Sequence, residues 1–138
     1  MIQRVLLAVM LIWGAGFAAE INWEKDYRSA MTKSKMTGKP VMFIVSSHSC
    51  RYCVMLEQET LSKLAVIEAV NESFISAIAY VDVNEYVPQD LLTGATPSIW
   101  FLMPSGEALF DPIMGAIGAG SYLKALATVK EKFAEIQK

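Results

Sequence analysis

Cysteine and histidine are the scarce residues of this sequence, with two and one respectively. Two cysteines exclude a small scaffold stapled by several disulfides, and one histidine leaves no histidine-rich metal centre to build. A basic stretch is also missing. Lys and Arg number 12 against 14 Asp and Glu, for a formal net charge of −2, so the positive footprint that attracts nucleic acid is absent. No internal repeat, low-complexity tract or linker interrupts the chain, which excludes a solenoid or a multi-domain array. What is abundant is apolar surface. Over 138 residues, 54% are hydrophobic and 19% charged, enough to pack one core in a chain too short for two.

Part of that apolar excess lies at the N-terminus. Met1-Ile2-Gln3-Arg4 precedes an apolar run from Val5 to Trp13, and Gly14-Ala15-Gly16-Phe17-Ala18 follows before the first acid, Glu20. A positive end, an apolar middle and small residues at the cut form the order of a secretory signal peptide. The expected division is therefore a signal peptide over 1–18 and one domain over 19–138. The run falls short of the roughly 20 apolar residues a spanning helix needs, so no stable membrane insertion is expected after cleavage. No cysteine follows the run, which argues against a lipoprotein. The expected location is exported, and periplasmic in a Gram-negative bacterium.

Along the mature chain, Asn22 is placed to cap a helix with apolar positions Trp23, Tyr27, Ala30 and Met31, closed by Gly38 and Pro40. Val41 to Val45 is an unbroken apolar run suited to a buried strand. Helical composition resumes after Cys50, with Val54, Leu56 and Leu61 on the dry face, a break near Ser62 and a second piece holding Leu64, Ile67 and Val70. Phe74 to Val83 reads as a second strand, giving a βαβ unit with parallel strands. Gly94-Ala95-Thr96-Pro97 leads into a third strand over Ser98 to Met103. Turn chemistry at Pro104-Ser105-Gly106-Glu107 then predicts a hairpin completed by Ala108 to Phe110. A last helix carries Leu123, Leu126, Val129, Phe133 and Ile136. This order predicts an α/β domain, a mixed sheet with helices on both faces.

The chemistry concentrates at Cys50-Arg51-Tyr52-Cys53, where a strand gives way to a helix. Two thiols three residues apart can close a disulfide within one helical turn. The first sulfur meets unpaired backbone N–H groups, so Cys50 is expected to titrate below a free cysteine, with Arg51 adding positive charge. Cys53, one turn further in, suits resolution of a mixed disulfide. Two other readings stand beside this one. The pair could be an inert structural disulfide, although so short a loop adds little entropic stabilisation. His48, Cys50 and Cys53, with a methionine, could also hold a metal.

Lys39-Pro40-Val41, the Cys50–Cys53 motif at a helix start, Thr96-Pro97 before a strand and Pro104-Ser105-Gly106 in a turn together resemble the thioredoxin superfamily over residues 22 to 136. Trp23 and the stretch Met55 to Thr60 are most similar to small exported thioredoxin-like proteins related to disulfide reductases. The resemblance implies a central mixed sheet of four to five strands, Cys50 as nucleophile and Cys53 as resolving thiol, and no cofactor. It also implies a cis bond at Pro97 facing the cysteines, and a Thr96 backbone that pairs with an extended substrate. Tyr52 joins Thr96 and Pro97 as an expected substrate contact, while Arg51, His48 and Glu57 are expected modulators. The implied activity is thiol:disulfide exchange on protein or peptide thiols and disulfides, in the direction of reduction, with a membrane electron-transfer partner. Oxidase or isomerase activity and non-enzymatic metal binding are the alternatives. Two departures are visible: the family's buried Asp six residues before the first cysteine is Ile44 here, and its Trp before the motif is Ser49. Glu57 is the candidate proton acceptor in its place, provided it points inward.

Overall fold

The computed structural model describes residues 19–138; the signal peptide expected over 1–18 lies outside the described residues. The apolar run at Val41–Ser46 forms β1, buried along its whole length. It has neighbours on both sides: β2 (Ile75–Tyr80) runs parallel to it and β3 (Ser98–Leu102) antiparallel. A two-residue strand, β4 (Ile113–Met114), pairs antiparallel with β3, which completes a four-stranded mixed sheet in the order β2-β1-β3-β4. Continuous apolar strands follow from this topology, because helices cover both faces.

Alternation along the strands divides the core in two. Met42, Ile44, Ile99 and Phe101 face the side covered by α3 (Leu64–Ser73) and α4 (Ala119–Ile136), among Leu56, Val66, Val70, Tyr122, Leu126 and Val129. Val41, Phe43, Val45, Trp100 and Leu102 face α1 (Tyr27–Thr37), against Ala30 and Met31. Burying each such side chain contributes about 1.5–3 kcal/mol.

Three local expectations are corrected. The first helix starts at Tyr27, capped by the Asp26 carboxylate, which accepts the Ser29 N–H at 2.8 Å. Asn22 is unavailable as a cap because residues 22–24 are extended. Asn22 N–H donates to Asn71 Oδ1, Trp23 bridges to Ser76, and Glu24 N–H donates to the Ser76 carbonyl. The second strand stops at Tyr80 rather than Val83, since its neighbour β1 ends at Ser46, the residue opposite. Beyond it the chain makes a 3₁₀ turn at Val81–Val83, closed by Asn84 with φ 58°. The hairpin partner of β3 is not Ala108–Phe110. That segment makes a single bridge, Leu102 to Ala108, and the ladder forms only at Ile113–Met114. Pro112, which has no N–H to donate, stands between them.

The helix after the cysteines is also not uniform. α2 spans Arg51–Met55 and continues as a π-helical turn over Leu56–Thr60, in which Leu61 N–H donates to the Leu56 carbonyl at 2.9 Å. The chain then breaks at residues 61–63 before α3, as the sequence around Ser62 predicts.

Candidate redox site

Position at the site follows from the two ladders that β1 shares. β3 runs antiparallel to β1 with Ser98 opposite Val45, so the segment leading into β3 arrives where β1 gives out. That segment is Thr96-Pro97, and the turn leaving β1 carries Cys50.

Cys50 sits at the N-cap of α2 with extended backbone, φ −93° and ψ 117°. Its sulfur accepts the Cys53 N–H at 3.2 Å and lies 3.4 Å from the Thr96 carbonyl, to which the thiol donates. The Thr96–Pro97 peptide bond is cis, and Pro97 is fully buried. Both cysteines are free thiols, Cys50 partly accessible and Cys53 fully buried.

Their environments set the two thiols apart. Burial works against ionisation of Cys50, but hydrogen bonds involving Cys53, Thr96 and the backbone of Cys53 and Tyr52 outweigh it and hold the thiol below its ordinary value. Burial pushes Cys53 up, its hydrogen bond with Cys50 pushes in the same direction, and bonds to Thr96, Ser46 and Ser47 offset only part of this. The surroundings thus bias the two sulfurs in opposite directions, the outer one toward thiolate and the inner one toward thiol.

The other expected site residues divide into those at the mouth and those beside it. Arg51 and Tyr52 are exposed, the latter 58% accessible. A cleft of about 390 Å³ adjoins Thr96, lined by Val45, Ser47, Val81, Leu92 and Thr93 among others. Ile44 is fully buried among apolar neighbours. Glu57 is half-buried, and its Oε1 accepts the Tyr80 hydroxyl at 2.5 Å. The carboxylate is thus turned to the end of β2, and Glu57 is not among the groups that act on the Cys53 thiol.

His48 is turned to Asp82, whose carboxylate oxygens lie 3.2 and 3.1 Å from Nδ1. Among the described residues no three His, Cys, Asp or Glu side chains gather as a metal site, so the set His48, Cys50, Cys53 is not assembled. Tyr80 and Asp82 escape sequence reading altogether. They lie more than 25 residues from the motif, and only the pairing of Ser46 with Tyr80 brings that end of β2 beside it.

Comparison with known proteins agrees with this geometry. The sequence model of the family described as thioredoxin-like domain matches residues 27–130. Among solved structures, a thioredoxin from Thermus thermophilus superposes with a TM-score of 0.71 at 26% identity, over 86% of this chain and 94% of that one. A DsbH oxidoreductase gives 0.67 at 16% identity, over 81% and 85%. The C-terminal domain of Neisseria meningitidis DsbD, in its oxidised form, gives 0.57 at 21% identity, over 73% and 90%. No curated protein sequence matches. With the family's sequence pattern over most of its length, and a CxxC pair at the start of a helix beside Thr96-Pro97, the chain belongs to the thioredoxin-like domain family and is a thiol:disulfide oxidoreductase.

Proposed function

We propose that the protein is a disulfide reductase acting on exported proteins, with Cys50 as nucleophile and Cys53 as resolving thiol. The Cys50 thiolate attacks one sulfur of a substrate disulfide, the substrate S–S bond breaks, and one substrate thiolate leaves. Cys53 then loses its proton and attacks the Cys50 sulfur of the mixed disulfide, releasing the second substrate thiolate. Two electrons pass to the substrate, and the protein is left with a Cys50–Cys53 disulfide. A membrane electron donor restores the dithiol. The Thr96 backbone and the adjoining cleft receive an extended substrate segment, with Tyr52 on the outer rim. Cleavage after Ala18 delivers the domain to the compartment where such disulfides form.

The observation that carries this reading is the asymmetry of the pair: an accessible sulfur with a depressed pKa, backed within one turn by a buried sulfur with a raised one. Direction is supported by the character of the donors. Arg51 is exposed, where solvent and salt screen its charge, and the hydrogen bonds at the Cys50 sulfur come from neutral groups. Neutral donors stabilise a thiolate less than a fixed positive charge does, which favours a reducing potential over that of a strong oxidant.

Trapping tests the roles. Cys53→Ser should accumulate stable mixed disulfides with substrate through Cys50, seen as reductant-sensitive adducts, whereas Cys50→Ser should trap few. Equal trapping by both variants would remove the assignment of nucleophile. Equilibration with glutathione tests direction. A potential near about −120 mV, the oxidant end of the CxxC range, would replace the reductase with an oxidase or isomerase.

A further inference from the structure

Between the end of β1 and Cys50 run only Ser47-His48-Ser49. Small polar residues outside any ladder sample many conformations, and each would place the Cys50 sulfur differently. Here the turn is closed by the Cys50 N–H, which donates to the Ser47 carbonyl at 3.3 Å, and by the Ser47 and Ser49 hydroxyls 3.1 Å apart, and it is also held from the side. Asp82 Oδ1 accepts the His48 backbone N–H at 3.0 Å, while the same carboxylate meets the ring at Nδ1. The imidazole lies flat on Tyr80, with ring centroids 3.8 Å apart and 17° between the planes. Tyr80 reaches on to Glu57, four residues past Cys53, through its hydroxyl, and its backbone N–H donates to Glu85 Oε2 at 3.0 Å. A continuous path of contacts thus joins the turn before the motif to the helix after it, across the end of β2 and around the sulfurs.

Resting on the thiol:disulfide reading above, we propose that His48, Tyr80 and Asp82 are positioning residues that brace the turn and keep the Cys50 sulfur on the Cys53 N–H and beside Thr96. The Cys50 sulfur is hydrogen-bonded to Cys53 and Thr96, not to any of these three. They act through the 3.2 Å bond that depends on where the turn sits. Loosening the brace breaks that bond for part of the time, and a thiolate with fewer donors is less stable.

The brace and simple charge have opposite consequences. Around the turn stand the charges of Arg51, Asp82, Glu57 and Glu85, with His48 as the titratable ring. Deleting the Asp82 carboxylate favours a nearby thiolate by charge alone, whereas loss of the brace disfavours it.

The test is the pH profile of iodoacetamide alkylation of the reduced protein, which reports the Cys50 thiolate. Asp82→Ala should move the profile to higher pH, slowing the rate at about pH 6 by about tenfold while the alkaline plateau stays within about twofold. His48→Ala should do the same, and the double variant should add little, because the two side chains act as one unit. Asp82→Asn, which keeps an acceptor for the His48 N–H, should fall between. Tyr80→Phe, which keeps the stacked ring, should lie nearer the unaltered protein than Tyr80→Ala.

An Asp82→Ala profile that stays in place or moves to lower pH overturns the brace, as do fully additive effects of the two single variants. Asp82 is exposed, so its variants are expected to keep the native circular dichroism and stand as the test even if Tyr80→Ala unfolds. Unaltered protein is measured alongside. If it neither shows a thiolate-dependent rate nor exchanges with glutathione disulfide, the underlying redox reading fails. If it does both and the variants match it, the brace alone fails.

Discussion

Cys50 and Cys53 are the same side chain in two surroundings, and the difference has a thermodynamic signature. A thiol whose folded pKa is depressed contributes stability above its unfolded value and loses it as pH falls through the folded value, which describes Cys50. Cys53 is raised, by burial first and then by its hydrogen bond with Cys50. Its contribution is complete below the unfolded value of about 8.5 and is lost as pH rises through the folded one. In reduced Cys50→Ser protein the urea midpoint should therefore fall between about pH 8 and pH 10, and fall less when Cys53→Ala is added. Equal slopes would show that Cys53 ionises as freely in the fold as in the unfolded chain. Ile44 and Glu57 mark how far single residues could be read. The sequence shows that a carboxylate is missing from β1. That Glu57 meets Tyr80 is a contact between residues 23 positions apart, which no local pattern encodes.

At the level of elements, the ends are set by local chemistry wherever the chain leaves its neighbours free. Gly38 closes α1 in the left-handed region, φ 74°, with its N–H donating to the Ser34 carbonyl at 2.8 Å. A Cβ there would meet nothing within 4 Å, so the cost of substitution is conformational alone. Gly38→Ala should destabilise by about 1–2 kcal/mol and Gly38→Asn by less, measured by urea unfolding. Both costs near zero would mean that α1 ends without this cap. The Gly38 stop was readable in the sequence, as was the break at Ser62. The start of α1 was not, because Asn22 and Asp26 are both good caps, and the choice was made by the bridge from Trp23 to Ser76, 53 positions away.

Across the whole molecule, the sheet separates two apolar clusters that must form together. Trp100 and Phe101 are neighbours on β3 that enter opposite clusters, Trp100 also donating its indole N–H to the Leu91 carbonyl at 3.0 Å. Trp100→Ala and Phe101→Ala should each cost about 3–5 kcal/mol. Either should shift a single cooperative transition seen alike by circular dichroism and by hydrogen exchange on both faces, since both clusters share one sheet. Two separable transitions would mean that the faces fold independently. The amino-acid sequence determined the apolar strands, the βαβ order, the CxxC at a strand–helix junction and the Thr-Pro before a strand, because periodicity, turn residues and thiol spacing are local properties of a chain. Only the tertiary structure decided that β4 lies at Ile113–Met114, that His48 belongs to Asp82 rather than to the sulfurs, and that Tyr80 stands between His48 and Glu57. Those pairings depend on strand register, and register is fixed when separate segments bury their faces together.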